Sequence, residues 1–162
     1  MLKLKAIILS ILVLLLSGCV SYEGDKRPRV AVTILPQKYL LDKIVGDSID
    51  VVCVVSEGGS PEEYSAVPSQ MTKITSSSLY FKVGELGFER TTLSSILKNA
   101  PNIEVVTLSH NLEFISSKCS HGGEEHLHND PHYWTSPNGA KVMATNMYNA
   151  VIEFDGKKFP DR

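Results

Sequence analysis

An α/β fold, one lobe built on a parallel four-stranded sheet flanked by helices, is what the sequence predicts, and three observations predict it. Short β-rich runs alternate with helical patterns along residues 30–108, the arrangement of consecutive strand–helix–strand units. The run Ile49 to Val55 is apolar almost throughout, as befits a strand covered on both faces. Further on, Ala140, Met143, Met147, Val151 and Phe154 recur at spacings of three and four, which lines one face of a helix of about four to five turns.

Taken in order, Val30 to Leu35 forms the first β-rich run, and Pro36 ends it and suits the first turn of a helix. Leu40, Leu41, Ile44 and Val45 share one face of that helix, and Gly46 suits its C-cap. After Ile49 to Val55 the chain empties into a loop, Glu-Gly-Gly-Ser-Pro-Glu-Glu-Tyr at 57–64. Pro68 opens a short helix holding Met71 and Ile74. A strand follows from Leu79 to Val83, then a helix around Leu93 to Leu97, then a strand from Ile103 to Leu108. Over 109–129 the periodicity disappears, so this histidine-rich segment reads as a loop. Ser136 is read as an N-cap and Pro137 as the first helical residue. The final helix is expected over 137–155, ended by Gly156 and Pro160.

Ahead of the lobe, Lys3 and Lys5 precede an apolar run from Ala6 to Leu16 that is too short for a permanent membrane span. Residues 1–18 therefore read as a secretory signal. The sequence Leu16-Ser17-Gly18-Cys19 resembles the lipobox at which bacterial lipoproteins are cleaved and acylated. That resemblance implies lipid on Cys19, the first mature residue, and a membrane-anchored protein in the periplasm or on the cell surface. An ordinary signal peptide or an N-terminal anchor helix is the alternative, and each also exports the chain. Residues 19–28 are polar and aperiodic, a flexible tether, and the lobe is expected over 29–136. An exported compartment permits disulfides, but nothing in the sequence pairs Cys53 with Cys119. The formal net charge of -2 leaves no basic footprint, which excludes nucleic acid as partner.

All five histidines, His110, His121, His126, His128 and His132, lie within a stretch that also holds Glu124, Glu125 and Asp130. Neutral imidazoles and carboxylates are the donors that zinc and its neighbours prefer, so this composition points to metal. His121, His126 and His128 read either as auxiliary ligands or as side chains of a solvated polar loop. His132 differs, because Pro131 and Trp134 bracket it just before a helix start, where the backbone is well defined. In an open α/β sheet the ligand site lies beyond the carboxyl ends of the strands. The loops after Val55 and Leu108 leave from such ends, so Glu62 and His132 are expected to converge. The sequence contains no His-Glu-x-x-His and no Gly-x-Ser-x-Gly, which argues against a secreted zinc hydrolase and for a protein that is not an enzyme.

These pieces together carry a family resemblance. Val-Ala-Val-Thr-Ile-Leu-Pro at 30–36, Ile-Val-Gly-Asp at 44–47, Gly-Gly-Ser-Pro-Glu-Glu-Tyr at 58–64, Pro-Ser-Gln-Met at 68–71 and Asp-Pro-His-Tyr-Trp-Thr-Ser-Pro at 130–137 resemble the first lobe of the metal-binding solute-binding proteins that serve zinc and manganese ABC transporters. The resemblance implies His132 as a metal ligand, and the final helix as the start of the long helix between two lobes. It implies Zn2+ as cargo, with Mn2+ as the alternative, and a membrane permease as partner. The family's first ligand is usually a histidine after the loop proline. Here that position is Glu62, with Glu63 one residue away. The remaining family ligands come from a second lobe, which is expected to be absent, so the chain reads as a fragment, a truncated copy or a short form. A surface metal buffer or adhesin-like lipoprotein that uses residues 121–132 alone is the other reading.

Overall fold

The computed structural model describes residues 27–112, 116–121 and 124–158, with side chains over 27–112 and 130–156. The secretory signal, Cys19 and the tether up to residue 26 lie outside the described residues. The elements are β1 (Arg29–Val32), α1 (Leu35–Val45), β2 (Asp50–Cys53), α2 (Pro68–Thr75), β3 (Leu79–Lys82), α3 (Ser94–Leu97), β4 (Glu104–Thr107), β5 (Ser116–His121), β6 (Glu124–Asn129) and α4 (Pro137–Lys158). A π-helical turn, Glu89–Leu93, runs directly into α3.

Four strands form one parallel sheet in the order β2-β1-β3-β4, with Val30 opposite both Val51 and Leu79, and Leu79 opposite Glu104. From β1 the chain moves outward to β2, and from β3 it moves outward the other way to β4. The order reverses between the two central strands, and at such a switch point the loops leaving the carboxyl ends separate and open a crevice.

Alternation along the central strands distributes the core. Val30, Val32, Leu79 and Phe81 face one way and pack with Leu41 of α1 and Met143, Met147 and Phe154 of α4. Ala31 and Tyr80 face the other way, against Ile74 of α2, Phe88 and Leu93. Burial on both faces is why these strands read as continuous apolar runs rather than as alternating ones. Asn146 anchors α4 across the sheet end, its side-chain amide donating to the carbonyls of Leu108 and His110 at 2.8 Å each. Among the described residues no helix is long and apolar enough to cross a membrane.

The structure differs from the sequence reading at three places. The first run ends as a strand at Val32, because the Gln37 side chain takes over the next two amides. Its Oε1 accepts from Thr33 N at 2.8 Å and Ile34 N at 3.0 Å, while Nε2 donates to Phe81 O at 3.3 Å. Second, the segment 109–129 is not wholly loop, since β5 and β6 pair as an antiparallel hairpin. Its strands are too polar to show either the hydrophobic alternation or the continuous apolar run by which strands are read from a sequence. Third, α4 continues through Gly156 to Lys158, past the expected end at 155. One glycine in a helix costs only about 1 kcal/mol, too little to end it unaided.

Gln37 is wholly buried, so Gln37→Leu strands two amides and a carbonyl without water. We expect it to lower the free energy of unfolding by about 2–4 kcal/mol, measured by urea denaturation. A change below about 0.5 kcal/mol would show that the backbone at Thr33 finds other partners.

Candidate metal centre

The segment Asp130–Pro137 is a chain of local hydrogen bonds that presents His132. Asp130 Oδ1 accepts from the His132 amide at 2.9 Å and lies 2.8 Å from its ring Nδ1. These two contacts hold the Asp130 carboxyl below the usual carboxylate range, the backbone bond contributing most. An ionised carboxylate accepts, so Nδ1 carries the hydrogen and the Nε2 lone pair is left to point away. This is the tautomer that a metal-binding histidine needs. The ring is 47% exposed and stands 5.1 Å from the Trp134 ring. Thr135 Oγ1 donates to His132 O at 2.8 Å and Ser136 Oγ to Tyr133 O at 3.0 Å. Ser136 Oγ in turn accepts the Gly139 amide at 3.0 Å, the expected N-cap bond ahead of Pro137. Gly139 passes so close to the Tyr133 carbonyl that a Cβ would collide with it, so glycine is required there.

Glu62 lies on the loop after β2. Its Oε2 accepts from Gly87 N at 2.9 Å, and Phe88 N donates to Pro61 O at 3.0 Å. Gly87 meets the Glu62 carbonyl where a side chain would not fit. The loop is also pinned from α2 by Gln70. Its Oε1 accepts from Val67 N at 2.8 Å, and its Nε2 donates to Val54 O and Ser56 Oγ at 3.0 Å each and to the Tyr64 hydroxyl. Bonds from Ser56 and Gln70 draw the Tyr64 hydroxyl below its ordinary pKa, Ser56 foremost. Glu63 is exposed, and its amide closes a turn onto Ser60 O at 3.3 Å.

The loop after β3, residues 83–88, is bonded to both of these segments. Glu62 is bonded to it at Gly87, and the Tyr133 hydroxyl, next to His132, donates to Val83 O at 3.0 Å. Tyr133 and Trp134 pack onto Ile34, Val83 and Leu86. Glu62 itself, and Tyr133 beside His132, are thus each bonded to one short loop at the switch point. Among the described residues no three histidine, cysteine or acidic side chains are grouped as a metal set.

His110 is exposed in the turn after β4. His121, His126 and His128 lie in the hairpin, where His121 is paired with Glu124, Cys119 with His126 and Ser117 with His128. Directly opposed residues share a face, as do residues two apart along a strand. The register therefore assigns all three histidines, Cys119 and Glu124 to the same face of the hairpin.

Sequence reading missed the buried polar groups beneath the site. Glu89 is wholly buried, and its carboxylate accepts from Thr33 Oγ1 at 2.5 Å, Val83 N at 2.7 Å and Gly84 N at 2.8 Å. Burial raises its pKa, and the bonds from Thr33, Gly84 and Val83 oppose that rise. Gln37 and Gln70 were legible in principle. Each sits at the third position of a helix with proline in its first turn, where a glutamine commonly reaches back to the backbone before the helix. Cys53 is inert by comparison: burial pushes its thiol up to about 11, despite the Lys38 charge and the Val55 and Val54 backbone bonds.

Residues 30–159 match the ZnuA family, described as zinc-uptake complex component A, periplasmic. Over 148 residues the chain is 32% identical to a protein of Chlamydia muridarum named for metal binding, covering 89% of this chain and 50% of the relative. Over 116 residues it is 26% identical to the manganese-binding lipoprotein MntA of Halalkalibacterium halodurans, covering 72% of this chain and 36% of the relative. A crystal structure of ZnuA superposes with a TM-score of 0.70 at 27% identity, over 81% of this chain and 50% of that one. The chain thus spans about half the length of these relatives or less. With the match running from β1 through α4, the chain belongs to the ZnuA family of metal-binding periplasmic proteins.

Proposed function

We propose that this chain captures a transition-metal ion outside the cytoplasm and hands it to the permease of an ABC transporter, without catalysis. Zinc is the expected cargo and manganese the alternative. Lipid on Cys19 keeps the protein at the membrane. His132 and Glu62 supply ligands, and Glu63 is the reserve carboxylate if the loop shifts. The observation that carries the reading is the Asp130–His132 pair. It holds an imidazole in the ligand tautomer, one residue before Tyr133, which is bonded to the same loop as Glu62. A carboxylate and an imidazole are donors that both zinc and manganese accept.

A second reading makes the chain a surface metal buffer, or an adhesin-like lipoprotein, that acts through the hairpin. The register favours it by assigning His121, His126 and His128 to one face with Glu124. Zinc titration by calorimetry, on the chain with and without residues 116–129, separates the two. A lobe site keeps its zinc when the hairpin is deleted, losing at most a weaker second phase. Loss of all binding on deletion would establish the buffer and overturn the transport reading.

A further inference from the structure

The loop bonded to Glu62 and to Tyr133, the neighbour of His132, is itself held by one side chain, and that side chain has no role in the reading above. Glu89 is wholly buried beneath residues 83–87. Its three partners fit an acceptor: Val83 N and Gly84 N can only donate, and Thr33 Oγ1 donates to it while standing 3.0 Å from the Tyr80 hydroxyl. Gly84 has φ +143, and a Cβ there would strike the Ser109 side chain. The backbone at this point is therefore held in a shape that glycine permits and that the carboxylate secures.

The decisive geometry lies in a single peptide unit. The amide between Val83 and Gly84 is planar, with its C=O and N–H directed oppositely. Its N–H is bonded to Glu89 Oε2 and its C=O receives the Tyr133 hydroxyl. Fixing the N–H therefore fixes where the carbonyl points, and with it Tyr133, the neighbour of His132. On the other side, the Gly87 amide that receives Glu62 lies two residues before Glu89. The Glu89 amide closes that turn onto Leu86 O at 3.0 Å.

We propose that Glu89 is the positioning residue of the metal site, acting through the Val83–Gly84 peptide to hold Tyr133 and His132 in register with the Glu62 loop. The proposal rests on the reading of His132 and Glu62 as ligands, but its test does not depend on it. Glu89→Gln keeps the shape of the side chain while turning an NH2 group toward the Gly84 or Val83 amide, donor against donor. Glu89→Asp keeps the charge and shortens the reach. The protein has one tryptophan, Trp134, packed against the rings of both His132 and Tyr133, so its fluorescence reports on this segment with no metal present.

The experiment measures zinc affinity and metal-free Trp134 emission in Glu89→Gln, Glu89→Asp, Tyr133→Phe and the Glu89→Gln/Tyr133→Phe double variant. Circular dichroism verifies the fold. We expect Glu89→Gln to lower zinc affinity by about tenfold and to shift Trp134 emission, with Glu89→Asp partly restoring both. In the Tyr133→Phe background the Glu89→Gln effects should largely vanish, because the link they travel through is already cut. A Glu89→Gln chain that is less stable but has unchanged Trp134 emission would overturn the proposal, as would effects that add independently of Tyr133. If Glu89→Gln does not fold, Glu89→Asp takes its place in the same cycle. Should the unaltered chain bind no zinc, the transport reading fails, while Trp134 emission through the cycle still decides the role of Glu89.

Discussion

A His132→Ala chain is expected to lose at least about a hundredfold in zinc affinity while folding as before. The reason is that His132 is held as a metal ligand would need to be. Asp130 accepts from both its amide and its ring, so the ring is oriented and its tautomer set before any ion arrives. Removing a group that merely orients a ligand costs about 10–100-fold in metal affinity, and removing the ligand itself costs at least the upper end of that range. The fold should survive, because the ring is half-exposed and packs on Trp134 rather than in the core. The His132 amide bond to Asp130 and the Thr135 bond to the His132 carbonyl involve backbone atoms that alanine keeps. Competition against a chromophoric chelator measures the loss. A His132→Ala chain that retains full affinity would remove this residue from the site and move attention to the hairpin. Because a ligand imidazole has to be neutral, binding in the unaltered chain should also weaken in acid, and the His132→Ala chain should lack that component.

Glu62→His is expected to raise the preference for zinc over manganese by about tenfold or more. A carboxylate oxygen is a hard, charged donor that suits manganese, whereas an imidazole nitrogen suits zinc and carries no charge to offset the ion's own. Glu62 is an exposed loop residue, bonded through Oε2 to a single backbone amide, Gly87 N, so the exchange should leave the core untouched. Parallel titrations with each metal give the ratio. If it does not move, the ion is not bound at position 62, and Glu63 becomes the residue to replace. The companion change Glu62→Ala should weaken both metals together, which separates loss of a ligand from a change of preference.

How much of this was visible beforehand differs by element. The final helix announced its buried face at Met143, Met147 and Phe154, its N-cap at Ser136 and its first residue at Pro137, because all of these depend on spacing and local capping. Its end was misplaced, since a lone glycine is a weak stop. The hairpin at 116–129 went unseen, because its pairing lies in backbone bonds between two polar runs.

The sequence by itself determined the four strands of the parallel sheet and the helices between and after them, which faces are apolar, and that His132 stands on a turn just before a helix. These follow from contacts between residues a few positions apart, which composition and periodicity record. Only the tertiary structure decided that β3 lies between β1 and β4, and that the loop at 83–88 is bonded to both Glu62 and Tyr133. It alone revealed that Glu89, Gln37 and Gln70 are buried. A polar residue in a sequence reads as surface, and the partners that let these three be buried are largely backbone groups, several of them on distant strands and loops. Backbone groups are the same at every position, so their arrangement leaves no mark on the residue pattern until the chain has folded.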